Sequence, residues 1–245
     1  MADTFPEAAL AWMVPVERVK ILALGRRSLP MARRLSRLGH QIVLVEPDAP
    51  AAAKAAVKAP GIRVISADPV QLPFAAATFG AVLISQAMGA FDREPVMAEL
   101  ARVLEASGEL VVHNTVRDDS VPWVRRLAGI LQRVDPTAMT ASAEHGSERV
   151  ESKHFAKAVE RDFRLWTPMD KATLLQQVGA NPRVKELDDA ARASMLEEVA
   201  ALYDSCARAP EPLLLPYKIA CWKAEVDHRG YIMPLRRDAG FRISL

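Results

Sequence analysis

Cysteine is nearly missing from this chain. The 245 residues hold two, Cys206 and Cys221, with no Cys or His neighbour at the short spacings of a zinc site. That excludes a disulfide framework and a zinc module, supplies no metal ligands, and fits a reducing, cytoplasmic setting. Long apolar runs are missing too. None approaches the roughly 20 residues of a membrane span, and the opening MADTFPEAALAW lacks a basic segment followed by an apolar core, so a soluble, unprocessed protein is expected. Charge of one sign is equally scarce: the net charge is +2, with Lys and Arg interleaved among Asp and Glu, which leaves no footprint for nucleic acid. Ser-His-Asp and phosphate-loop motifs do not occur.

What remains is half hydrophobic and a quarter charged, enough for one sizeable domain around a buried sheet. Short apolar runs alternate with helical patterns. The segments RVKILALG, QIVLVE (41–46), IRVISAD, FGAVLISQA (79–87) and ELVVHNT (109–115) read as strands. Helices are predicted between them over 30–38, 49–59 and 95–105, the last closed by Ser107 and Gly108. Continuous apolar strands separated by helices indicate a parallel, doubly wound α/β sheet with helices on both faces. In such sheets the ligand lies beyond the carboxyl ends of the strands, where strand order reverses beside the first strand.

After Thr115 the pattern changes. A helix with Ser120 as N-cap and Pro122 in its first turn is predicted, then an unpatterned loop or lid over 135–149. Lys153 to Trp166 is mixed in character. Helices are expected over 169–178 and 190–207, and a last strand over 211–226. The tail 227–245, with Arg229, Arg236, Arg237 and Arg242, reads as a solvated extension. The chain is thus one domain over 1–226, with a ligand-binding core at 16–115, a lid and acceptor region at 116–210, and the last strand at 211–226.

Glu46 ends the second strand about twenty positions after Gly25, the spacing at which nucleoside-binding folds place an acid for ribose hydroxyls. A stronger signal follows it. The stretch ADPVQLPFAAATFGAVLISQAMGAFDREPVMAELARVLEASGELVV, from Ala67 to Val112, resembles the class I S-adenosylmethionine-dependent methyltransferases of type 11, in their pattern of an acid before LPF, a Phe-led strand and a closing RVL…GGxL. NTVRDDSVPWVRRL and LLPYKIACWKA look like segments of actinobacterial small-molecule members, so the resemblance runs from Val19 to Ala224.

That resemblance implies a Rossmann-like, seven-stranded methyltransferase sheet and S-adenosylmethionine as cofactor. It also implies a small or lipid-like metabolite as the partner molecule. Its cofactor-binding positions fall on Gly25, Arg26, Arg27 and Ser28, on Glu46 for the ribose, on Asp68 and Pro69 at the adenine end, and on Ser85, with Gln86, beside the methionine half.

The match departs from the family in the first turn. Where relatives read DLGxGxG, this chain reads ALGRRSL, so Ala23 replaces an acid, Arg27 the second glycine and Leu29 the third. Gly80 replaces a common aspartate, and Gly89 and Ala90 an aromatic or His pair. Glycines in that turn let a ligand approach bare backbone, so these changes imply a degraded or repurposed cofactor site. Two arginines at a helix N-terminus can hold a carboxylate or phosphate and would repel a sulfonium.

Two readings therefore stand side by side: an S-adenosylmethionine-dependent methyltransferase, and a non-catalytic relative or pseudoenzyme whose pocket is blocked or takes another, anionic ligand. A nicotinamide dehydrogenase would also suit Glu46, but LPF and RVLEASGELVV argue against it. No catalytic residue is assigned. His113 and Asn114, with Asp118 and Asp119, stand closest to the expected site, and His145 and His154 fall in or near the lid.

Overall fold

The computed structural model describes residues 5–14, 17–86, 88–138, 152–208 and 211–230. Seven strands form one sheet: β1 (Lys20–Leu24), β2 (Gln41–Val45), β3 (Arg63–Ile65), β4 (Phe79–Ser85), β5 (Leu104–Arg117), β6 (Val159–Met169) and β7 (Leu213–Glu225). Their order is β3-β2-β1-β4-β5-β7-β6. β1 to β5 are mutually parallel, whereas β7 runs antiparallel to both β5 and β6. The parallel sheet expected from the apolar runs is therefore a mixed one, with its single reversed strand near one edge.

The central strands are buried on both faces. β1 and β2 are exposed only at their first residue, and β4 only at Gly80 in part, which is why their side chains do not alternate in polarity. On one face, α4 (Glu94–Val103) sets Val96, Met97 and Leu100 against Leu22, Val82 and Leu110. On the other, α1 (Glu7–Met13) and α2 (Leu29–Arg37) bring Leu10, Met13 and Leu35 onto Ile21, Leu83 and Val111, and α3 (Ala49–Lys58) adds Ala55. A third cluster joins α5 (Pro122–Gln132), α6 (Lys171–Gly179), α7 (Pro182–Lys185) and α8 (Asp189–Cys206) around Leu127, Val199 and Leu215.

Several boundaries differ from the sequence reading. Val121, not Ser120, precedes α5, because Ser120 is drawn into a turn where its N–H donates to Asp118 at 3.0 Å. The helix before β5 ends at Val103, and Ser107 and Gly108 belong to the strand, beside a register irregularity between Phe79 and Ala81. The mixed segment after Lys153 holds edge strand β6, whose half-exposed residues leave no continuous apolar run to read. Most of the expected lid at 135–149, and the tail beyond Gly230, lie outside the described residues.

Candidate active site

Strand order reverses between β1 and β4, and their neighbouring carboxyl ends open a cleft of about 810 Å3. Gly25, Arg26, Arg27, Glu46, Asp68 and Pro69 all line it. Gly25 follows β1 with φ +73°, a conformation that favours glycine, and a Cβ there would touch the Phe91 ring at 3.4 Å. Glu46 is buried at 6% exposure. Its Oε2 accepts the backbone N–H of Arg26 at 2.6 Å, and its Oε1 that of Asp48 at 3.2 Å. Two amides thus fix the carboxylate while each oxygen retains acceptor capacity toward the cleft. Asp68 starts a turn, accepting from the Val70 N–H at 2.9 Å, and stays exposed.

Arg27 does not point away from the cleft. Its guanidinium donates to the backbone carbonyl of Gln86 at 2.8 Å, bridging from the end of β1 to the end of β4. Gln86 presents that carbonyl from a left-handed backbone, φ +57°, uncommon for a residue with a side chain. Its side chain donates onward to the Thr115 carbonyl at 3.3 Å.

Ser28 and Ser85, both taken from the sequence as cofactor residues, do not line this cleft. Ser28 is fully buried beneath the turn, donating to the Leu24 carbonyl at 2.6 Å and accepting the Ser85 N–H at 3.0 Å. It ties the ends of β1 and β4 together. Ser85 and His113 line a separate chamber of about 180 Å3, which also has Arg27 and Gln86 in its wall. Burial without a partner pushes the His113 pKa down to about 4, so its ring is neutral at physiological pH.

The departures in the first turn and beyond do not all fall in one place. Ala23 is wholly buried in the apolar cluster under α1 and α2, where a carboxylate would be desolvated. Gly80 lies toward the opposite end of β4, and a Cβ there would meet Val19 Cβ at 3.1 Å, so close packing rather than a ligand explains it. Only Arg27, Gly89 and Ala90 among the altered positions border the cleft.

Arg93 also lines the cleft and was invisible in the sequence, since its place depends on how α4 is set against β4. His154 is engaged elsewhere, its Nε2 lying 2.8 Å from Glu94 Oε1, and His145 lies outside the described residues. Burial pushes the Cys221 thiol up to about 12, which keeps it protonated and inert. Among the described residues no group of three or more His, Cys, Asp and Glu could hold a metal, and no helix is long and apolar enough to cross a membrane.

A doubly wound sheet with a cleft at its switch point, bordered by an acid after β2, is a Rossmann-like arrangement. Residues 22–112 match the family model described as a methyltransferase domain. An uncharacterized methyltransferase of Mycobacterium tuberculosis is 28% identical over 130 residues, 53% of this chain and 54% of that protein, so the match spans about half the relative's length. A solved structure assigned provisionally as a type II methyltransferase, from Anaeromyxobacter dehalogenans, superposes with TM-score 0.69 at 21% identity, covering 91% of this chain and 97% of the other. Another, assigned provisionally to an antibiotic-pathway methyltransferase of Anabaena variabilis, gives 0.59 at 14% identity over 87% and 94%. The domain match over 22–112, the mycobacterial relative and the shared fold together support a place for this chain in the class I S-adenosylmethionine-dependent methyltransferase superfamily.

Proposed function

We propose that this chain is a methyltransferase that transfers the methyl group of S-adenosylmethionine to a small metabolite, with a donor site open on its nucleoside side and restricted by Arg27 on its methionine side. The observation that carries the reading is the convergence of Gly25, Glu46 and Asp68 on one cleft of about 810 Å3, within the usual range for small-ligand sites. Glu46 has acceptor capacity left for ribose hydroxyls, Gly25 offers bare backbone, and the exposed Asp68 carboxylate is suited to accept from an adenine amino group. S-adenosylmethionine supplies an electrophilic methyl on a sulfonium. Against that cation Arg27 is a like charge, and its grip on the Gln86 carbonyl uses an acceptor at the end of β4. Admitting the donor requires this arginine to swing away, and its exposed side chain leaves room to do so.

The same reading treats residues 1–226 as one domain, with 116–210 shaping the acceptor side, in a cytoplasm that keeps Cys206 and Cys221 free. Calorimetry with S-adenosylhomocysteine and S-adenosylmethionine tests it. Binding on the order of micromolar for the sulfonium-free product, with weaker binding of the donor, is expected. Absence of heat for both, in the native chain and in Arg27→Gly, would overturn it.

A second reading has its own observation. Arg26, Arg27 and Arg93 all line the cleft that holds Glu46, a set suited to a nucleoside with an anionic tail and to a non-catalytic role. Heat from ADP, with none from S-adenosylhomocysteine, would favour it.

A further inference from the structure

Behind the donor cleft lies the chamber of about 180 Å3, enclosed by the carboxyl ends of β4 and β5, by α2 and by Phe5. A cavity of about 150 Å3 is enough to take up a benzene ring, so this one has room for a single ring with a substituent. The chamber floor continues the sheet face that packs under α1 and α2: Leu83 and Val111 are apolar, and two residues further along the same strands come Ser85 and His113. These two are adjacent in the ladder and are 1% and 5% exposed.

Among the described residues, Ser85 Oγ and both ring nitrogens of His113 are buried without a hydrogen-bond partner, although such groups are almost always satisfied in folded proteins. Phe5 meets the imidazole edge-on at 5.4 Å between ring centroids, and Pro30 and Met31 line the wall from the first turn of α2. The space thus sets an apolar side against a small polar floor. Arg27 and Gln86 border both this chamber and the donor cleft, so their 2.8 Å hydrogen bond is the partition between the two.

We propose that the chamber is the subsite for one phenolic ring, its hydroxyl held between Ser85 and His113 and its ring carbons lying against Phe5, Pro30 and Met31. A phenol hydroxyl is donor and acceptor at once, and so answers both a serine hydroxyl and a neutral imidazole with one donor and one acceptor nitrogen. The ring itself suits the apolar side, since aromatic rings favour edge-to-face contact and a thioether sulfur packs well at a ring edge. Water would satisfy the floor but not that side, so a ligand that reproduces the hydrogen bonds and adds apolar contact displaces it at a gain. The ring enters when Arg27 turns from Gln86, the same movement that admits the donor. For the methyltransferase reading this names the class of the small metabolite; the binding itself does not rest on that reading.

The test therefore uses no methyl donor. Protein labelled with 13C at the methionine methyls is titrated at pH 7 with phenol and, separately, with toluene, which has the same shape without the hydroxyl; the Met31 signal is assigned by its loss in Met31→Leu. A saturable shift of that signal with phenol is expected, with a Kd on the order of millimolar for so small a ligand, and toluene should bind at least about tenfold more weakly. Ser85→Ala should weaken phenol by about tenfold and leave toluene unchanged, and His113→Leu should narrow or reverse the preference, while the other methionine signals stay in place as a check on folding. A Met31 signal unmoved by phenol on the order of 10 mM, which would mean that the chamber holds water only, would overturn the proposal. So would toluene binding as well as phenol, or a phenol affinity unchanged in Ser85→Ala. Failure of S-adenosylhomocysteine to bind would leave this result standing, and failure of phenol would leave the donor site standing.

Discussion

The backbone N–H of Arg26 donates to Glu46 Oε2 at 2.6 Å, so the turn after β1 is fastened to the carboxylate at the end of β2. This one contact gives Glu46 two tasks. It orders the turn, and it presents its remaining lone pairs to the cleft.

The conservative change Glu46→Gln separates those tasks. One amide oxygen can still accept from Arg26, so the fold should persist, while the charge that favours ribose hydroxyls is gone. Affinity for S-adenosylhomocysteine should fall about tenfold or more in calorimetry, with only a small change in melting temperature. An unchanged affinity would remove Glu46 from the binding site.

Arg27→Gly should act in the opposite direction and selectively. Removing the guanidinium takes away a like charge from the sulfonium and frees the Gln86 carbonyl. Affinity for S-adenosylmethionine should rise more than affinity for S-adenosylhomocysteine, which carries no sulfonium. Equal changes for the two would show that Arg27 acts only by its bulk.

Ser28→Ala tests the knot beneath the turn. It strips the acceptor from the Ser85 N–H and the donor from the Leu24 carbonyl, both buried. Urea unfolding should report a loss of about 1–3 kcal/mol, the usual cost of leaving buried backbone groups unsatisfied.

His113 should make stability depend on pH. The unfolded chain takes up a proton there below about 6.5, whereas burial holds the folded group near 4. Stability is therefore complete above the upper value and falls as the pH drops through that window, by about 2 kcal/mol between pH 7 and pH 5. Urea melts at the two pH values, compared with His113→Leu, should show that share of the loss vanish in the variant.

Gly80→Asp would restore a common family residue, yet it should destabilise the chain by about 1–3 kcal/mol, because the new side chain would press on Val19 and stand near Glu105. A melting temperature equal to that of the native chain would contradict this packing account.

The amino-acid order by itself determined the α/β alternation, the five parallel strands and the acid after β2, because these follow from local apolar runs, turn residues and short-range spacing. It also showed which positions of the first turn depart from the family. Tertiary structure alone decided what those departures mean. Ala23 and Gly80 answer to packing, Arg27 reaches across to Gln86, Ser28 and Ser85 do not line the cleft, and Arg93 joins it from the position before α4. Each of those outcomes depends on contacts between segments far apart in the chain, and no local pattern carries the direction of a side chain across a sheet. β6 was missed for the same reason: a half-exposed edge strand is defined by its ladder with β7, not by its own composition.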